Sequence, residues 1–191
     1  MKHLLIAILF LLSWSAFGQV GENYVLSGTY KIGVQPFLFA YDLNTQVYDN
    51  ANEDKELKFR ITDTAQQISV YSNSKIVIAQ DGIYQVDCSF NLRCENGGDN
   101  ASVDFWLKKN RQNITGTNHT VNAGIESGYT VYRTVSFTDF IKVQPNDTIT
   151  VSMNATNATI GISLEYLDTQ ASPNRPSTPS STICIHKISD R

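Results

Sequence analysis

A carboxylate set in a tight turn is the first group in this chain to weigh as chemistry. In Ile141–Val151 (IKVQPNDTITV) two alternating apolar runs flank Pro145, Asn146 and Asp147. A working acid needs a partner: a second carboxylate at fixed separation, or a group that shares its proton. Turn chemistry accounts for Asp147 without either. Asn146 tolerates left-handed backbone better than any residue but glycine. Pro145 has no N–H to donate and suits a strand end, and Asp147 can accept backbone N–H groups across the reversal. Asp147 reads as a turn residue. Glu53, Asp54, Asp99 and Glu126 fall in loop-like stretches with nothing beside them to raise a pKa. The chain has no Gly-x-Ser-x-Gly, no Cys–His signature and no glycine-rich phosphate loop. The expectation is a non-catalytic protein.

Metal chemistry gets a similar reading. Zinc favours Cys-x-x-Cys pairs or neighbouring histidines, whereas His119 and His186 stand isolated in the sequence, so no metal or other cofactor is expected. The one weak alternative is calcium at residues 95–100 (ENGGDN), through Glu95, Asp99 and asparagine carbonyls. Such a stretch is more often simply a loop. Cys88, Cys94 and Cys184 make an odd count, which leaves at least one thiol unpaired within the chain. Cys88 and Cys94 share one extended run, and six residues of strand span about 20 Å where a disulfide tolerates about 7 Å. A bond to Cys184, or no bond, remains.

The elements that must carry these residues alternate at period two, the mark of half-buried strands. PFLFAYD (36–42) puts Phe37, Phe39 and Tyr41 on one face, and LKFRI (57–61) groups Leu57, Phe59 and Ile61. IYQVDCSFNLRC (83–94) aligns Tyr84, Val86, Cys88, Phe90, Leu92 and Cys94. SVDFWLKKN (102–110) turns Val103, Phe105 and Leu107 inward and Trp106 outward, and Asn110-Arg111 reads as a hairpin turn in left-handed geometry. In 129–143, Tyr129, Val131, Val135, Phe137, Ile141 and Val143 share a face that Arg133 and Asp139 interrupt, which suggests a bulge. The Pro/Ser/Thr-rich residues 169–182 read as a long surface loop that returns a final strand, ICIHKI, to the sheet. Eight to ten short strands with turns between them imply a β-sandwich or barrel.

Residues 1–18 have the form of a signal peptide: Lys2, the apolar run Leu4–Leu12, then Ala16 and Gly18 before a cut ahead of Gln19. The run is too short for a stable span of about 30 Å of hydrocarbon. The expected product is secreted, periplasmic or surface-attached, with a lead-in segment at 19–35 and no membrane span. There are 15 Lys+Arg against 18 Asp+Glu, with no basic stripe, so nucleic acid is not an expected partner.

Three stretches carry a resemblance. KIVIAQDGIYQVDCSF has Gly82 and Tyr84 of a Pro-x-x-Gly-x-Tyr strand junction. VDFWLKKNRQNI is similar to a Lys-Asn-Gly hairpin with Arg111 in place of the glycine, and FIKVQPNDTITV to a Gly-Asp turn with Asn146 in its place. Over residues 36–188 the chain resembles the jelly-roll heads of the complement C-one-q and tumour-necrosis-factor superfamily, more narrowly their bacterial and bacteriophage relatives. The resemblance implies an all-β jelly-roll sandwich of about ten antiparallel strands over 36–191, assembled as a homotrimer. It also implies that the sheet holding the 82–94 and 129–143 strands faces the threefold axis, which points to Ile83, Gln85, Tyr132, Thr134 and Ser136 as the interface. In that topology the strand of Cys88 neighbours the last strand. Ile183 and Ile185 inward would turn Cys184 outward, so buried free thiols are expected over a bond. The expected function is binding a protein or cell-surface ligand; the alternative is a lectin-like adhesin using Trp106 on a carbohydrate.

Overall fold

A computed structural model describes residues 35–95, 102–123, 129–156 and 161–190. Sixteen strand segments occur among them. The first six are β1 (Phe37–Asp42), β2 (Gln46–Tyr48), β3 (Lys55–Glu56), β4 (Ile61–Gln66), β5 (Ile68–Tyr71) and β6 (Lys75–Ile78). Then come β7 (Gly82–Cys94), β8 (Ser102–Lys109), β9 (Gln112–Asn113), β10 (His119–Asn122), β11 (Val131–Val143) and β12 (Thr148–Ala155). The last are β13 (Ile162–Leu164), β14 (Gln170–Ala171), β15 (Asn174–Arg175) and β16 (Ser181–Ser189). The number exceeds ten because the chain interrupts its long strands: β1 and β2 follow one another, pairing with β16 and β13 respectively, and both of those lie along β7.

Two antiparallel sheets form a sandwich. One runs β2-β13-β7-β16-β1-β4, with β11 along the other edge of β7. The second runs β10-β8-β12-β6-β5, with β3 beside β12 and β9 beside β8. This all-β order fits a jelly roll. β7 shows why the sequence folds so: its thirteen residues alternate buried and half-buried without a break, with Tyr84, Val86, Cys88, Phe90, Leu92 and Cys94 inward. Strict period two gives a strand one apolar face, and two such faces stack over a shared core. Phe90 of the first sheet stacks on Phe105 of the second at 4.7 Å, and Leu38, Leu107, Ile149, Met153, Ile183 and Ile185 close the core around them.

The final strand lies between β7 and β1, deep in the first sheet. The stretch before it forms the small β14–β15 hairpin and a Leu167–Thr178 bridge. Asn110 and Arg111 both take positive φ, as the hairpin between β8 and β9 requires. All three cysteines are free: Cys88 and Cys94 are buried and Cys184 is half-buried. Cys88 sits opposite Ile183 while Cys184 sits opposite Asp87, so the two sulfurs point to opposite faces of the sheet.

One expectation is overturned, and one face left open by alternation is assigned. The interruption in β11 is not a bulge, because its register with β7 runs unbroken from Val131–Cys94 to Val143–Gly82. Asp139 keeps its inward place because His119 meets it, with Nε2 3.1 Å from Oδ2 and the ring stacked on Phe137 at 4.2 Å. In β1 the aromatic face is outward: Leu38, Ala40 and Asp42 are buried, and Phe37 and Phe39 are exposed. The buried Asp42 is tolerated because its carboxylate accepts the Asn44 N–H and pairs with Arg60.

Candidate functional site

The outer face of the first sheet holds the residues of interest, and register places them in rows. Phe37, His186, Gln85 and Phe140 form one row across β1, β16, β7 and β11. The next is Thr64, Phe39, Cys184, Asp87 and Thr138, beginning on β4. Tyr41, Thr182, Ser89 and Ser136 make the third. Farther along, Thr134 lies opposite Asn91 and Tyr132 opposite Arg93.

The five interface candidates, Ile83, Gln85, Tyr132, Thr134 and Ser136, all lie on this outer face, though not in one patch. Tyr132 and Phe140 are eight residues apart on β11, about 26 Å of strand. Between those ends Ser136 donates to or accepts from Ser89 at 3.0 Å, a small polar seam. Sequence reasoning missed three further aromatic contributors, Phe37, Phe39 and Phe140. Phe140 is 61 % exposed and Tyr132 52 %, against 38 % for each of Phe37 and Phe39. Exposed aromatics on one sheet face are an unusual outlay of apolar surface for a lone domain. A depression of about 470 Å³ opens on this face, lined by Phe39, Asp87, Ser89, Ser136, Thr138 and Cys184 among others.

A cluster of metal-ligating groups lies beside that depression. Ligand atoms of Asp87, Cys184 and His186 come within 4.8 Å of one another. Cys184 and Asp87 are direct cross-strand partners, and His186 is two positions from Cys184 on the same outward face. Both Asp87 oxygens accept from the Gln85 amide, at 3.0 and 2.9 Å, and Oδ1 also accepts the Thr138 hydroxyl at 2.6 Å. Burial, reinforced by the Asp87 charge, pushes the Cys184 thiol pKa up. His186, isolated in sequence terms, is therefore not isolated in the fold.

Trp106 lies on the outer face of the second sheet and is half-buried. Its indole N–H donates to Asn113 Oδ1 at 2.9 Å, and the Lys108 ammonium sits 5.6 Å from the ring while pairing with Asp54. The calcium stretch is described only at Glu95, which pairs with Arg93 and whose N–H bonds the Gly161 carbonyl. Residues 96–101, including Asp99, lie outside the described residues, as do Glu126 and the leader and lead-in at 1–34.

Asp147 is built into a double turn. Its Oδ2 accepts the Gln144 N–H at 2.8 Å, and its Oδ1 accepts the Asn110 amide at 2.7 Å. Asn110 Oδ1 in turn accepts the Thr148 N–H at 2.9 Å. Asn146 has φ of 69°, the left-handed conformation expected of it.

No helix among the described residues is long and apolar enough to cross a membrane. Compared with known proteins, the chain matches no protein-family model, and no curated protein shows significant similarity to it.

Proposed function

We propose that the chain is an exported, non-catalytic interaction module of the C-one-q/tumour-necrosis-factor type. In this reading it self-associates as a homotrimer through the outer face of the β11-containing sheet and uses its remaining surface to bind a protein or cell-surface ligand. One observation carries the proposal: β1 turns Phe37 and Phe39 away from the core, onto the same face as Phe140 and Tyr132. A sandwich that stayed alone would gain by the opposite phase, with aromatics inside and small or polar residues outside. A second copy removes that aromatic surface from water, and aromatic side chains are the residues enriched at interface centres. The small hydroxyls Thr134, Ser136 and Thr138 between them allow backbones to approach closely.

The test is solution mass by light scattering on the mature chain, with EDTA present so that no metal contributes. A trimer mass is expected, and Tyr132→Asp or Phe140→Asp should reduce it to that of a monomer with unchanged β-type circular dichroism. A monomer mass for the unaltered chain at micromolar concentration would overturn the reading.

A further inference from the structure

We propose that Asp87, Cys184 and His186 form a transition-metal site that takes Zn²⁺, with three protein ligands and a fourth position left to water. The ligands come from two paired strands of one chain, so the site does not depend on self-association. Their chemistry selects the metal: a thiolate and an imidazole suit zinc, whereas calcium and magnesium want oxygen ligands throughout. The geometry is close. Ligand atoms lie within 4.8 Å of one another, and tetrahedral zinc with bonds of about 2.0–2.3 Å sets such atoms roughly 3.3–3.6 Å apart.

The surroundings of the cluster support it. A metal-ligating carboxylate is normally fixed by hydrogen bonds of its own, and Gln85 and Thr138 hold Asp87 in that way. A carboxylate offers about four lone-pair sites. Gln85 takes one on each oxygen and Thr138 a second on Oδ1, which leaves a lone pair on Oδ2 for the metal. Phe37 and Phe39, cross-strand partners of His186 and Cys184, give the site an apolar rim on the β1 side. On binding, the Cys184 sulfur forms the Zn–S bond and its proton leaves to the buffer. Nothing is oxidised or reduced.

Cobalt reads the site directly. Reduced full-length mature protein, titrated with Co²⁺ as a spectroscopic stand-in for zinc, should develop a thiolate-to-metal charge-transfer band that saturates at one metal per chain, and Zn²⁺ should abolish it. Cys184→Ser should remove the band, and His186→Ala or Asp87→Ala should weaken binding at least tenfold. Gln85→Leu should weaken it by about ten- to a hundredfold, the usual range for residues that orient ligands. Cys88→Ala and Cys94→Ala, which remove the two buried thiols, should leave the band intact. No charge-transfer band at saturating Co²⁺, or a band that survives Cys184→Ser, would overturn the site. The readout is the metal's own spectrum, so it stands or falls separately from the solution mass.

Discussion

Gly82 and Tyr84 begin β7, and each shows what one side chain contributes. Gly82 has φ of +150°, and a Cβ there would sit 2.5 Å from the Lys187 Cε and 2.7 Å from the Ser189 carbonyl. The lysine end can swing away, but the carbonyl belongs to the backbone where β16 shifts register. Gly82→Ala should therefore cost about 2–3 kcal/mol, the range for backbone strain forced into a packed site, and urea unfolding measures it. Tyr84 is fully buried, and its hydroxyl donates to the Gln80 carbonyl at 3.1 Å. Burial, then the charges of Asp81 and Asp190, pushes its pKa up to about 12. An unfolded tyrosine ionises near pH 10. Between those values the unfolded chain loses its proton first, so this contribution to stability is complete below about pH 10 and is lost as pH rises toward 12. Tyr84→Phe should lose about 1 kcal/mol at neutral pH for the missing hydrogen bond. It should also show a shallower decline in urea midpoint than the parent between pH 10 and 12. An equal slope in both proteins would remove Tyr84 as the source.

At the scale of elements, the β8–β9 hairpin and the turn before β12 hold each other through Asn110 and Asp147. Asp147 is buried and accepts both a backbone N–H and the Asn110 amide. Asp147→Ala leaves those donors short of an acceptor, so a loss of about 2–3 kcal/mol in unfolding free energy, measured by urea titration, is expected. Asp147→Asn should lose less, because one acceptor oxygen remains. Both turns were legible in the sequence, since Asn, Asp and Pro carry their backbone preferences locally. The strands were legible for a similar reason, with period two written plainly in β7 and β8. Phase was harder. Alternation shows that Phe37, Phe39 and Tyr41 share a face, but only pairing with β16 shows that the face is outward. Asp139 looked like a break in β11 because its partner His119 comes from another strand in the second sheet. The Asp87–Cys184–His186 cluster was beyond the sequence for a plainer reason: cross-strand register, not spacing along the chain, brings Asp87 to Cys184.

For the whole molecule, Leu38 and Phe39 separate folding from assembly, because adjacent residues of one strand serve opposite faces. Leu38 is 0 % exposed and packs in the core; Phe39 is 38 % exposed on the outer face. Leu38→Ala deletes buried methyl groups and should cost about 2–5 kcal/mol. It leaves the outer face unchanged, so whatever folds should still associate. Phe39→Ser removes apolar surface that, in the self-association reading, is covered only in the assembled state. A native state that binds its own copies is stabilised by mass action, so its thermal midpoint rises with protein concentration. In EDTA, the parent chain and Leu38→Ala should both show that rise over a hundredfold range, from different starting midpoints. Phe39→Ser should start near the parent's value at the lowest concentration and stay there. A parent midpoint that ignores concentration would mean that the exposed aromatic face does not meet a second copy of this chain.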